Sequence, residues 1–244
     1  MEINSVHNEK IKNWEKLKMK KYRDETGLFI VQQYHMINEA QNKGLIDTLI
    51  LRNGVKNDFG IEAVTVSDVV MKKLSNNVSL NDVIAVCRKP EFETVKYNRV
   101  IVLERIQDPG NLGTIIRTAH GFGYDAVILS EDCCDEYNEK CLQGCQGALF
   151  YIPVIRTDLL KELKRLKSDG VRIYATRVDT DNYLQNVKKA ERYALVFGNE
   201  GKGLSREITL MADESFKIEM AGFEALNVAV AMAVSSYQFV YGKE

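Results

Sequence analysis

"VIVLERIQDPGNLGTIIRTAHGFGYDAVIL", residues 100–129, contains two continuous apolar runs separated by a turn and a helix-length stretch. Neither Val100–Leu103 nor Ala126–Leu129 alternates with polar residues, so both read as strands covered on both faces. Asp108-Pro109-Gly110-Asn111 is turn chemistry directly after the first strand, and Asn111 precedes a helix over about Leu112–Phe122. Ile115, Ile116, Ala119 and Phe122 share the face of that helix that packs on the sheet, while Asn111, Thr114, Arg117 and Thr118 fall on the other side. Arg117 is either a plain surface residue or, at the carboxyl end of a parallel strand, placed where open α/β sheets bind ligands. The glycine pair Gly121 and Gly123 follows the helix. A dinucleotide-binding fingerprint has its glycines before the helix, so that reading fails.

The alternation continues outward. "VRIYA" (Val171–Ala175) and "ALVF" (Ala194–Phe197) read as further strands, and Asp158–Gly170 reads as an amphipathic helix with an aspartate cap and a terminal glycine. Strands alternating with helices predict an α/β fold built on a mostly parallel sheet. The first part of the chain reads as shorter α/β elements. Strands are expected at Gly27–Val31, Thr48–Arg52, Glu62–Val66 and Val83–Cys87, with helices through Tyr34–Lys43 and Asp68–Leu74, the latter capped by Ser67. The charged stretch Arg88–Asn98 carries a proline and no apolar period. The expected organisation is a domain over residues 1–90, a linker over 91–98 and a second domain over 99–244.

The 244 residues, 45% hydrophobic and 27% charged, describe an ordinary globular protein. No run approaches the roughly 18–20 apolar residues of a membrane span, and the first 23 residues contain no apolar core of a signal peptide. A cytoplasmic protein with no membrane partner is expected. The five cysteines are odd in number and include no Cys-x-x-Cys. Cys141 and Cys145 share a helix face, but no histidine lies nearby, so packing rather than a metal is expected. The net charge of −1 announces no nucleic-acid partner, yet seven basic residues between Lys10 and Arg23 face only Glu15, a local +6. Such a run is a solvated helix face or a phosphate-binding one.

Two other stretches carry chemistry. In "LVFGNEGKGLSREI" (Leu195–Ile208) a strand runs into a glycine-rich loop. Its spacing does not fit a phosphate-binding P-loop, and its glycines suit a backbone that approaches a flat ligand closely. Glu200 is a turn residue there, or it orients a partner such as Arg117. "AGFEALNVAVAMAVSSYQF" (Ala221–Phe239) is small and apolar around one amide, Asn227. Its first half is apolar all round, which predicts burial on every side, in a core or a subunit interface.

Taken in order, "DPGNLGTIIRTAHGFG" (108–123), "LVFGNEGKGL" (195–204) and "IEMAGFEALNVAVA" (218–231) resemble the three motifs of the SpoU/TrmH family of RNA ribose 2′-O-methyltransferases, in the SPOUT superfamily. The resemblance covers residues 99–244, and the N-terminal part is similar to the L30e-like substrate-binding domain common in that family. It implies a parallel sheet with a deep trefoil knot, rare among proteins, and a homodimer that binds S-adenosylmethionine and methylates rRNA or tRNA. By carry-over, Arg117, Glu200 and Asn227 would be catalytic, with the Asn227 amide satisfied by loop backbone. Thr176, Gly198, Ile218, Met220 and Leu226 would line the cofactor site, and Lys18, Lys20, Lys21 and Arg23 would contact RNA. No metal is implied. An arginine has a reference pKa above 12, so Arg117 suits stabilisation of a developing alkoxide better than general-base work.

The chain departs from the family pattern at three places. Ala225 and Ala229 replace serines around Leu226-Asn227-Val228, Gln143-Gly144-Cys145 stands for Arg-Ala-Ser, and Val31-Gln32-Gln33 stands for Val-Glu-Gly. The alternative function is therefore a catalytically weak or inactive RNA-binding relative with a vestigial cofactor pocket. A third class is a methyltransferase acting on a base or a small molecule.

Overall fold

The computed structural model describes residues 1–75, 80–93, 96–222 and 225–242. Residues 94 and 95 of the expected linker, and 223 and 224 of the last quoted stretch, lie outside the described residues. The chain divides into two compact units, Met1–Glu91 and Phe92–Glu244.

The first unit runs β1 (Glu2–Ile3), α1 (Glu9–Lys16), α2 (Lys20–Thr26), β2 (Leu28–Val31), α3 (Tyr34–Asn42), β3 (Ile46–Arg52), β4 (Ala63–Val66), α4 (Asp68–Leu74) and β5 (Val83–Arg88). Its sheet has the order β1-β4-β3-β5-β2. β4 lies parallel to β1 and β3, and β5 antiparallel to β3 and β2. The α1 helix starts where Asn8 Oδ1 accepts the Lys10 amide at 2.9 Å, and it buries Ile11 and Trp14 against Val70, Met71 and Ile84. Ser67 precedes α4 without making a side-chain cap; its hydroxyl donates instead to the Asn4 carbonyl at 3.4 Å.

Two of the four cations read as RNA contacts, Lys18 and Arg23, are held by backbone carbonyls of the protein itself. Arg23 is only 6% exposed and donates from Nη1 to the Leu17 carbonyl at 2.7 Å. Its expected role as a phosphate contact is therefore corrected to an internal brace. The Lys18 ammonium donates to the carbonyls of Lys73 and Ser75 at 2.8 and 3.1 Å, closing the last turn of α4. Lys20 pairs with Asp24, and Lys21 with Glu25 at 3.8 Å, both on the surface.

The second unit runs β6 (Arg99–Leu103), α5 (Pro109–Gly121), β7 (Ala126–Leu129), α6 (Glu139–Cys145), β8 (Val154–Arg156), α7 (Leu159–Ser168), β9 (Arg172–Thr176), β10 (Tyr193–Phe197), α8 (Arg206–Met211), β11 (Glu214–Phe216) and α9 (Val228–Tyr241). All six strands are parallel, in the order β11-β9-β10-β6-β7-β8. Alternate residues feed two cores. Val100, Val102, Ala126, Ile128, Ala194 and Val196 pack on Leu159, Leu163 and Leu166 of α7 and Ile208 of α8. Tyr174 and Tyr193 point to the other face, each with its ring 5.0 Å from that of Phe239 on α9.

Two expectations shift, and the packing expected of the cysteines is found. The Asp108-Pro109-Gly110 stretch is the first turn of α5, not a separate turn. Asp108 caps it by accepting the Asn111 amide at 2.8 Å, and Pro109 fits the first helical position because its missing N–H has no partner there anyway. The α9 helix is not buried on every side: Val230, Val234, Tyr237 and Tyr241 are exposed. Cys141 and Cys145 are buried on α6, where burial pushes both thiols up. The α6 helix lies close to α5 because residue 113 is glycine; a Cβ there would sit 3.0 Å from Gly144 Cα and 2.9 Å from the Cys145 amide.

Candidate active site

The direction of winding reverses between β6 and β10. β6 leads to β7 on one side, and β10 leads past β9 to β11 on the other. The crevice beyond the carboxyl ends of two such strands is the ligand site of open parallel sheets. Two loops meet there, residues 104–108 after β6 and 198–205 after β10.

The second loop is folded tightly on itself. Asn199 Oδ1 accepts the amides of Gly201 and Lys202, both at 3.0 Å, and the Asn199 carbonyl accepts the Gly203 amide at 2.9 Å. Gly198 is required at its root, since a Cβ there would lie well inside contact with the Gly203 carbonyl. Asn199 Nδ2 also donates to the Arg105 carbonyl at 2.9 Å, and Glu104 Oε2 accepts the Ser205 amide at 2.7 Å, so the first loop holds the second.

A polar chain then crosses from this loop to α9. Asn111 Nδ2 donates to Glu200 Oε1 at 2.8 Å, and Asn227 Nδ2 donates to Asn111 Oδ1 at 3.0 Å. Asn227 Oδ1 accepts the amides of Ala229 and Val230 at 2.9 and 3.3 Å, which makes it the N-cap of α9. The helix dictates the sense of the chain. Its free N–H groups take the Asn227 oxygen, the Asn227 NH2 must then find an acceptor, and the Asn111 NH2 ends on a carboxylate.

Beside this chain lies a cavity of about 870 Å³ whose wall includes Phe197, Gly198, Glu200, Phe216, Ile218 and Leu226. Its volume lies within the roughly 300–1,000 Å³ of small-molecule sites. Its lining combines apolar side chains such as Phe197, Phe216, Ile218, Met220 and Leu226 and the backbone of loop 198–204 with charged groups that include Arg177, Asp179, Glu200 and Lys217. Such a lining fits a ligand with an aromatic base and a charged, hydrogen-bonding chain.

Residues 98–237 match the model of the SpoU rRNA Methylase family. The chain belongs to the SpoU family. Residues 8–85 match an MRM3-like substrate binding domain. The chain is 34% identical to the 23S rRNA (guanosine(2553)-2′-O)-methyltransferase RlmP of Bacillus subtilis, over 97% of this chain and 98% of that one. Among solved structures it is similar to an AdoMet-bound rRNA methyltransferase from Sinorhizobium meliloti, with TM-score 0.86 and 26% identity over 98% of this chain and 97% of that one. A second similar structure is an RNA 2′-O ribose methyltransferase, with TM-score 0.84 and 25% identity over 99% of each chain.

In this SpoU family chain, Thr176, Gly198, Ile218, Met220 and Leu226 all line the 870 Å³ cavity. Glu200 lines it too, and Asn227 joins through Asn111. Asn227 is exposed and is satisfied by its own helix and a side chain, rather than by loop backbone. Arg117 stands exposed on α5, with no hydrogen bond or ion pair among the described residues. It lies about 9 Å along the axis from Asn111 at 1.5 Å per residue. Glu200 therefore engages Asn111 and not Arg117. Sequence reasoning did not assign Glu104, Arg105 or Asn199, and it left Asn111 without a role. Only the asparagines carried a signal, as amides flanking glycine in loops that follow strands.

Proposed function

We propose that this chain is an S-adenosylmethionine-dependent methyltransferase acting on a ribose 2′-hydroxyl of RNA, with ribosomal RNA as the substrate class. The observation that carries this is that the second and third motif stretches line one cavity at the winding reversal of a parallel sheet, with the first stretch tied to both through Asn111. The likeness to RlmP, which spans nearly the whole chain, supports the same activity.

S-adenosylmethionine, when bound, supplies an activated methyl group. Thr176, Gly198, Ile218, Met220 and Leu226 hold it, largely through apolar contact and loop backbone. The protein's remaining tasks are alignment, worth several kcal/mol in well-oriented reactions, and stabilisation of charge as the 2′-hydroxyl loses its proton. Glu200, fixed by Asn111, and Asn227 shape the side of the cavity where the ribose enters. Arg117 has no competing partner among the described residues and stabilises the developing alkoxide or anchors the adjacent phosphate.

The first unit is the substrate-binding domain, with Lys20 and Lys21 on its basic surface and Lys18 and Arg23 serving structure. The C-terminal segment returns from the edge strand β11 to place α9 against α5, the path expected of a threaded, knotted tail. Two copies associate through α9 to complete the site.

The test is transfer of labelled methyl to unmodified ribosomal and transfer RNA, with mapping of the product nucleoside. Parent protein is expected to label a ribose 2′-oxygen, and Arg117→Ala to lower kcat at least 100-fold while cofactor affinity changes less than threefold. A protein that binds the cofactor yet labels neither RNA pool would defeat the proposal.

A further inference from the structure

Among the described residues, only two other than glycine have a left-handed backbone: Gln146 at φ 49° and Arg105 at φ 58°. Gln146 ends α6, a common place for that conformation. Arg105 caps no helix. It follows Glu104 directly after β6, where the chain could have continued extended, and a non-glycine residue adopts this backbone only at a cost. Backbone held in such a state persists because its surroundings over-determine it, and it concentrates at functional sites.

The surroundings that hold Arg105 belong largely to the cavity loop. Its carbonyl accepts from Asn199 Nδ2 at 2.9 Å, and its Nη2 donates to the Gly203 carbonyl at 3.3 Å and to Glu104 Oε2 at 3.4 Å. Its own amide donates to Ser130 Oγ at 2.9 Å, fixing the turn from behind. The neighbouring Glu104, 7% exposed, takes the Ser205 amide. The dipeptide thus grips loop 198–205 near its start, at Asn199, and near its end, at Gly203 and Ser205. The guanidinium is not there for its own best bonding, because Nε is buried without a partner among the described residues. Between the two grips the loop carries Glu200, which is bonded to Asn111, and with Gly198 it forms a wall of the cavity.

We infer that Arg105 is a positioning residue for the cofactor cavity: its left-handed backbone and its guanidinium strap loop 198–205 to the end of β6 and so set the wall formed by Gly198 and Glu200. This rests on reading the cavity as the cofactor site. A left-handed glycine would fit the backbone with less strain. The strained backbone instead carries a side chain whose donor reaches the Gly203 carbonyl.

Arg105→Gly separates the strap from ordinary packing, since glycine accepts φ 58° freely. The folded protein is expected to melt within about 3 °C of the parent. Amide exchange at Gly201–Ser205 should rise at least tenfold while exchange in α7 is unchanged, and the S-adenosylmethionine Kd by calorimetry should rise at least tenfold. Arg105→Lys, which restores one donor, is expected to recover at least half of the exchange protection. RNA affinity without cofactor should stay within twofold of the parent. Parent-like loop exchange in Arg105→Gly would overturn the strap. So would lost RNA affinity with cofactor affinity intact, which would make Arg105 an RNA contact. If the parent itself binds no S-adenosylmethionine, the functional reading falls, and loop exchange still decides the strap.

Discussion

Asn227 does two jobs with the two ends of one amide, and substitutions can separate them. Its oxygen caps α9, and its NH2 reaches Asn111, which in turn holds Glu200. Asn227→Asp keeps an acceptor for the Ala229 and Val230 amides and puts a negative charge at a helix N-terminus, where it is favourable. It removes the donor to Asn111. Unfolding free energy is expected to stay within about 0.5 kcal/mol of the parent, while kcat/KM for methyl transfer falls roughly tenfold, the worth of about one hydrogen bond. Asn227→Ala removes both ends, costs about 1 kcal/mol of stability as a lost cap and loses at least as much activity. Urea unfolding and single-turnover methyl transfer read the two effects apart. Equal losses of activity and stability in Asn227→Asp would show that the amide is a cap alone. The family resemblance implied loop backbone as the partner of this amide, whereas its NH2 donates to the Asn111 side chain. Asn111 lies 116 residues away, and only the winding of the sheet brings them together.

Elements were legible in proportion to how completely their surroundings were apolar. β6, β7 and β10 appear in the sequence as unbroken apolar runs because helices cover both faces. β1, β8 and β11, two or three residues each at sheet edges, carry no period to read. The basic run shows the limit of charge counting. It forms α1 and α2, where Lys18 and Arg23 brace backbone carbonyls while Lys20 and Lys21 stay on the surface in exposed ion pairs. Asp24 is the clearest case. Hydrogen bonds from Lys20 and then Lys89 hold its carboxyl down at about 2, against about 3.9 for a free aspartate. Because the folded-state value is depressed, the stabilisation is complete above about pH 4 and is lost as the pH falls through about 2. Asp24→Asn is expected to lower the unfolding free energy from urea titration at pH 7 by less than about 1 kcal/mol, as for a half-exposed pair. The gap to the parent should narrow between pH 4 and pH 2 and close below that. A gap independent of pH would mean that Asp24 contributes through packing instead.

The whole molecule leaves one feature that a single chain does not use. Val230, Val234, Tyr237 and Tyr241 recur at helical spacing along α9 and stay exposed, and Phe122 lies edge-on to both tyrosines at 6.4 and 6.0 Å. A neighbouring groove of about 480 Å³, lined by Leu184, Ile218, Val234 and Tyr237, extends the patch. The sequence showed the first half of this stretch as apolar all round, which predicted burial in a core or a subunit interface. One face meets Phe216, Tyr174 and Tyr193, and nothing within the described residues covers the other. Aromatic and branched side chains in a continuous stripe are the composition of interface cores, and tyrosines at the centre of such a patch carry much of its energy. Because Ile218 also lines the 870 Å³ cavity, covering the patch would steady that wall. The parent is therefore expected to sediment at about twice the 27.7 kDa chain mass, and Val234→Glu combined with Tyr237→Glu to sediment as a single chain. The changed side chains are exposed, so the monomer should keep its fold by circular dichroism while losing cofactor affinity at least fivefold. A parent that sediments at the mass of one chain at micromolar concentration, or a monomeric double variant with parent-like cofactor affinity, would separate this helix face from the completion of the site.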